Sequence, residues 1–151
     1  MKQLLLQTIA CCAVLLPFSQ LEAKNYGGFK PGKTFTMKVE EKITAATIGT
    51  RVVKNVPVPK GVPNFKKGQK VKFTIGAGGR LTAKGMSIPF KSDGGSANVY
   101  NKVVTSGAPQ ADTGEVFKTA TNKPTNVALM FTRTKVDGFN TSVTTVTYTF
   151  E

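Results

Sequence analysis

"FKPGKTFTMKV" (residues 29–39) and "FKKGQKVKFTI" (residues 65–75) are nearly the same phrase, set 36 residues apart. In each, Phe and Lys precede a Gly, and a run alternating apolar with polar residues follows. Phe35, Met37 and Val39 alternate with Thr34, Thr36 and Lys38; Val71, Phe73 and Ile75 alternate with Lys70, Lys72 and Thr74. A period of two describes a strand with one face buried and one face wet. The likeness stops after eleven residues, since "EEKITAATIG" does not match "GAGGRLTAKG". A structural repeat would persist through a whole unit. The phrase is therefore read as the grammar of beginning a strand after a glycine turn, used twice.

The same period runs through the rest of the chain. Val127, Leu129 and Phe131 share one parity, and Val146, Tyr148 and Phe150 close the sequence in "TTVTYTFE". Thr is frequent on the polar parity, where a β-branched side chain suits a half-exposed pleat. No helical period stands out after residue 24. Turn signals fall between the alternating runs: "GAGG" at 76–79, "SDGG" at 92–95 and "VDGF" at 136–139,. The prolines of "NVPVPKGVPNF" (55–65) mark a surface crossing, and "SGAPQADTG" (106–114) reads as a second loop,. Eight strands are expected, near 33–43, 46–54, 69–76, 80–90, 97–104, 115–120, 126–135 and 140–150. Parity changes across Gly85 and across Thr144 predict a bulge at each. Bulges let a sheet curl, so the expected fold is all-β, a small antiparallel barrel (up-and-down or Greek key), with a sandwich as the alternative.

The closing segment "GEVFKTATNKPTNVALMFTRTKVDGFNTSVTTVTYTFE" resembles the strand-turn-strand ends of small exported bacterial β-barrels of the calycin-like meander type. The resemblance rests on "NKPT" before a strand, "DG" at the hairpin and the final "VTYTF". It implies architecture and brings no ligand motif with it.

The first 23 residues read differently. Lys2 precedes an apolar run from Leu4 to Phe18, and "LEA" ends in a small residue at Ala23. This is the layout of a secretory signal of bacterial type, too short for a membrane span, with cleavage expected after Ala23. It assigns residues 1–23 to the signal and 24–151 to a single domain, exported to the periplasm or beyond. A lipoprotein reading through Cys11 or Cys12 would leave "CAVLLPF" as a greasy tail on the product. With cleavage after Ala23 both cysteines depart, and the domain must hold without disulfides.

The chain has 21 Lys and Arg against 8 Asp and Glu, a net charge of +13. Removing Lys2 and Glu22 leaves 20 and 7, the same +13. Such a charge attracts polyanions; its bland counterpart is solubility and protection of sheet edges, where Lys is the usual guard. The absence of His, and of Cys beyond residue 12, removes His-based triads, His- or Cys-held zinc and thiol chemistry,. Glu40 and Glu41 are adjacent in a strand, Asp93 and Asp137 sit in glycine turns, and Asp112 with Glu115 lies in the expected loop. The first four cannot make the facing carboxylate pair of a glycosidase, and the remaining pair, Asp112 with Glu115, reads first as part of a solvated loop. "GAGGR" (76–80) lacks the spacing of a phosphate loop. It leaves the narrower idea that its amides and Arg80 hold an anion. "NTS" at 140–142 matches a glycosylation acceptor and is discounted beside a bacterial-type signal.

The expectation is a non-catalytic exported binding module, with no cofactor and no metal, monomeric and without a membrane span. It would engage acidic polymers (glycan, lipid head group or nucleic acid) through Lys38, Lys70, Lys72, Arg80, Lys84, Arg133 and Lys135. Tyr26 and Tyr100 are the aromatics expected at the surface, too few for a stacking platform. Two other readings are a barrel holding a small apolar ligand, and a structural part of an envelope assembly joined through a strand edge.

Overall fold

A computed structural model describes residues 25–151. The expected signal at 1–23, with Cys11 and Cys12, lies outside the described residues. Ten strands appear: β1 (Thr34–Ile48), β2 (Arg51–Lys54), β3 (Lys70–Ile75), β4 (Leu81–Ala83), β5 (Met86–Ile88), β6 (Phe90–Asp93), β7 (Ala97–Val104), β8 (Gln110–Lys118), β9 (Pro124–Asp137) and β10 (Asn140–Phe150). All the pairings are antiparallel, in the order β5-β4-β3-β1-β10-β9-β8-β7-β6, with β2 added beside β1. The two ends of that order, β5 and β6, are separated by Pro89 alone. One bent run therefore serves both edges, β5 pairing with β4 and β6 with β7, and the sheet becomes a nearly closed up-and-down barrel.

The two copies of the opening phrase lie against each other. Phe35 pairs with Phe73 and Met37 with Val71 in the β1–β3 ladder. The glycine of each copy closes the other's end: the Gly32 amide donates to the Ile75 carbonyl and the Gly68 amide to the Val39 carbonyl, both at 2.7 Å. Both glycines have strongly positive φ (90° and 82°), a conformation that side chains disfavour,. The repetition thus encodes a local two-fold in which each turn caps its partner strand.

Several strand expectations need correction. The separate strand at 46–54 is the end of β1, a turn at Gly49–Thr50, and the short return of β2. The expected bulge at Gly85 is a two-residue hairpin turn joining Ala83 to Met86, because Gly85 adopts φ +79°. No bulge occurs at Thr144, where the β9–β10 register runs unbroken from Asn140 to Phe150. The register shifts fall instead between Val39 and Glu41, Phe90 and Ser92, and Phe117 and Lys118. The first of these turns the inward parity of β1 from Met37 and Val39 to Thr44 and Ala46. The segment read as a loop at 106–114 is strand from Gln110, and the proline crossing at 55–65 contributes buried Val62 and Phe65 to the core.

Side chains fill the interior. Phe29, Phe35, Phe73, Phe150, Tyr148 and Phe131 form a chain of ring contacts with centroids 5.1–6.4 Å apart. Ile75, Leu81, Ile88, Val116 and Leu129 pack around it. One end is closed by the turn Asn25–Phe29, with Phe29 fully buried. Lys118 holds this plug from the far end of the chain, its Nζ donating to the Gly27 carbonyl and lying 3.0 Å from the Asp93 carboxylate. That ammonium, with the Gly95 amide, holds the Asp93 carboxyl below its usual range. Asn98 Nδ2 donates to the Tyr26 carbonyl from beneath. Tyr26 itself packs on Phe90, and Tyr100 is completely buried, so neither is the free surface aromatic expected from the sequence. Tyr100 lies on the inward parity of β7, between Asn98 and Lys102.

The two core tyrosines make opposite predictions. The Tyr148 hydroxyl donates to the Pro63 carbonyl at 2.6 Å, while the Tyr100 hydroxyl is buried with no partner. Tyr148→Phe should lose about 1–2 kcal/mol in urea unfolding, and Tyr100→Phe should be neutral or stabilising. Burial pushes the Tyr100 hydroxyl up to about 12 from 10.0. The unfolded chain then loses this proton first, so stability falls as pH rises through the window from about 10 to about 12. Tyr100→Phe should flatten that part of the pH profile.

Candidate anion-binding surfaces

The seven basic residues singled out in the sequence do not form one site. Lys38 and Lys70 face each other directly across the β1–β3 ladder, and Lys72 lies two residues along, opposite Thr36. All three are on the outward parity. Lys38 is 2.6 Å from Glu40, which raises its pKa through the hydrogen bond first and the charge second. Among the described residues, neither Lys70 nor Lys72 has a carboxylate within 4.0 Å. The loop amides of Gly68 and Gln69 lie alongside, which brings Lys66 and Lys67 to the same side of the barrel by backbone continuity.

A second group gathers where the barrel fails to close. Beyond Pro89, β5 turns toward β4 while β7 continues to Val104, and a cleft of about 520 Å³ opens between them. Arg80 and Ser87 line one wall; Lys102, Gln110, Asp112 and Arg133 line the other. Arg80 is held by Ser87, with Nε donating to the hydroxyl at 2.8 Å and an Nη to the carbonyl at 3.0 Å. These bonds turn its guanidinium along β5 toward the cleft. Gly79 lies tight under the Tyr26 ring, where an added Cβ would come within 2.2 Å of it, so that glycine serves packing, whereas Gly78 faces open space at φ +66° and serves the turn. Arg133 meets Asp112 at 2.5 Å and also donates to the Thr132 carbonyl. The cleft holds three cations against one carboxylate.

Lys84 is exposed in the β4–β5 turn, and Lys135 lies further out on β9, exposed and only 3.7 Å from Asp137. The structure thus brings together Lys38, Lys70 and Lys72, and separately Arg80 and Arg133, and leaves Lys84 and Lys135 apart from both. Lys102, Gln110 and Asp112 were not anticipated. Once Gln110–Lys118 is known as strand, Asp112 falls on the buried parity of Gly114 and Val116. Arg133 likewise continues the parity of Val127, Leu129 and Phe131. A charge on a core parity at a strand end was the available signal.

The cations avoid one face. The outward rows of β7 to β10 carry Val99, Asn101, Val103, Ala111, Thr113, Ala128, Met130, Thr132, Thr134, and Thr141 to Thr149 at alternate positions. No Lys or Arg stands among them, and Glu115 is the charged member. A shallow hollow of about 350 Å³ lies there, over Gly114 and Ala128. Among the described residues no three His, Cys, Asp or Glu side chains gather to hold a metal, and no helix is long and apolar enough to cross a membrane.

The ion pair in the cleft sets a stability prediction. Arg133 and Asp112 are four-fifths or more buried, so Arg133→Met should lower unfolding stability by about 2 kcal/mol by stranding the carboxylate,. Lys135→Met removes an exposed, loosely paired charge and should change it by less than about 0.5 kcal/mol,. Chemical denaturation of both variants beside the wild type measures the contrast.

Compared with known proteins, the chain matches no family profile, no curated protein sequence and no solved structure.

Proposed function

We propose that the protein is an exported, non-catalytic binding module for acidic polymers. The observation that carries this reading is the segregation of its charge. Lys38 and Lys70 stand directly opposed with Lys72 beside them, while the outward rows of β7 to β10 hold no cation. Like charges facing across a ladder are destabilising in isolation. Glu40 offsets the charge of Lys38 at 2.6 Å, and the uncompensated charges of Lys70 and Lys72 are those a bound anion would complement. Charge kept only for solubility would need no such order. Binding of this kind is a sum of modest contacts and weakens steeply with salt.

The reading of the protein as a small-ligand barrel draws less support, since Phe73 and Phe131 fill the interior rather than line a space in it. A part in an envelope assembly is favoured by one feature: the four residues of β2 pair with β1 alone and leave their other edge open.

The test is chromatographic. The chain from Lys24 onward, which carries every strand and core residue among the described residues, is eluted by salt from heparin and from a plain sulfonate exchanger. Later elution from heparin is expected. The triple variant Lys38→Gln, Lys70→Gln, Lys72→Gln should lose that difference. A triple variant at Lys60, Lys91 and Lys123, which removes the same charge elsewhere, should keep it. Equal behaviour of the two triples would reduce the effect to net charge and overturn the reading.

A further inference from the structure

Three of the strands are longer than the barrel needs. β1, β9 and β10 run past their last buried residues, Ala46, Phe131 and Val146, and with β2 they build a four-stranded blade projecting from one end. Two tight turns form its tip, Gly49–Thr50 between β1 and β2 and Gly138–Phe139 between β9 and β10. Because Ile48 pairs with Ser142, the second turn extends about 7 Å further than the first,.

The tip is apolar. Phe139 is fully exposed (108 %), and Val136, Ile48, Val52 and Val53 are each about half exposed or more. Strand alternation puts Val136 and Val52 on one face of the blade and Ile48 and Val53 on the other. Neither face is a groove awaiting a strand or helix; the blade is a wedge, greasy on both sides. Phe139, Val136 and Ile48 lie within about 10 Å of its end, the depth to which apolar groups of surface-bound proteins enter the head-group and acyl boundary, with Val52 and Val53 next behind them,. Arg51, Lys54 and Lys135 stand among and behind them, with Asp137 the one acidic residue of the blade.

We infer that this blade docks the protein on an anionic lipid surface, Phe139 entering first and Arg51, Lys54 and Lys135 settling against the head groups. The choice of occupant follows from charge. A second copy would bring like-charged collars together on a protein of net charge +13, whereas an anionic bilayer complements the collar and accepts both apolar faces at once,. The inference rests on the acidic-polymer reading in so far as both invoke the cationic surface, and it names the lipid head group as the acidic partner at this end.

The chain contains no Trp, so a single Phe139→Trp substitution places one reporter at the tip. The domain from Lys24 onward is mixed with vesicles of phosphatidylcholine alone, or with one third phosphatidylglycerol. Binding to the anionic vesicles, a blue shift of the introduced indole's emission and its quenching by brominated acyl chains are expected. Phe139→Ser should weaken vesicle binding about tenfold, since burying a Phe is worth at least that factor. It should leave heparin elution and the thermal midpoint unchanged. Binding of Phe139→Ser as tight as wild type, or an unshifted emission from the Phe139→Trp variant on bound vesicles, would overturn the wedge. Equal binding to phosphatidylcholine alone would overturn the anionic specification. Late heparin elution without vesicle binding would sink this inference and leave the acidic-polymer reading standing, whereas loss of both would end the two together. A concentration-dependent dimer abolished by Phe139→Ser in sedimentation would assign the blade to a second copy instead.

Discussion

A curled sheet closes only if its two edges meet, and here both edges belong to one run of chain, Met86–Asp93. Pro89 at its centre has no amide hydrogen and a fixed φ, so the run cannot continue one ladder through that residue. Its carbonyl still accepts from the Asn101 amide at 3.0 Å, which fastens the bend to β7. Below the proline the run belongs to β7, and above it to β4. Closure and the cleft of Arg80, Lys102 and Arg133 are therefore one event seen from two sides. Where the run leaves β7, the inward parity of β7, β8 and β9 is no longer covered, and the residues on it change from Tyr100, Val116 and Leu129 to Lys102, Asp112 and Arg133.

The same rule explains how the barrel ends are finished. A hydrophobic interior open at its mouths would expose Phe73 and Phe150. At one mouth the turn at Asn25–Phe29 supplies Phe29, and a nearly buried ammonium ties it down. On the other side of the β1–β3 pair the proline crossing supplies Phe65, whose ring meets Tyr148 and Phe150 at 5.3 and 5.8 Å. These are the first residues of the two repeated phrases. Each phrase thus contributes a ring for the core, a glycine for the partner strand and an alternating stretch for the ladder.

Most of the architecture was legible because burial imposes period two. Met37, Val71, Phe73, Val127, Leu129, Val146 and Tyr148 all stand inside, with Phe35 packed against them, as their alternation required. Boundaries were lost where a strand is buried on neither side. "TIGTRVVK" (47–54) projects beyond the core, so nothing in its apolar pattern says where one strand ends and the next begins. The bulge at Glu40 was hidden because Ile43, apolar but half exposed, imitates the old parity after the faces have changed. Tyr100 was misplaced by residue type, since a hydroxyl suggests the surface, although its parity matches that of buried Asn98. The basic stripe was seen in part: Lys38, Lys70 and Lys72 fall together because β1 and β3 are neighbours, whereas the union of Arg80 with Arg133 depends on the closure at Pro89, which no local pattern announces.

The pairing of β1 with β10 has a consequence in time. Val39 and Phe150 are register partners although they stand near opposite ends of the domain. A chain that appears residue by residue, from its N-terminus onward, must keep one side of β1 unpaired until β10 emerges. Contacts of such long sequence separation come late and slowly, because loop closure precedes any gain from them. Hairpins such as β9–β10 can form on their own; the barrel cannot. Closure here is a step that waits for β10, and until then the open edge of β1 is what the polypeptide must be shielded from exposing.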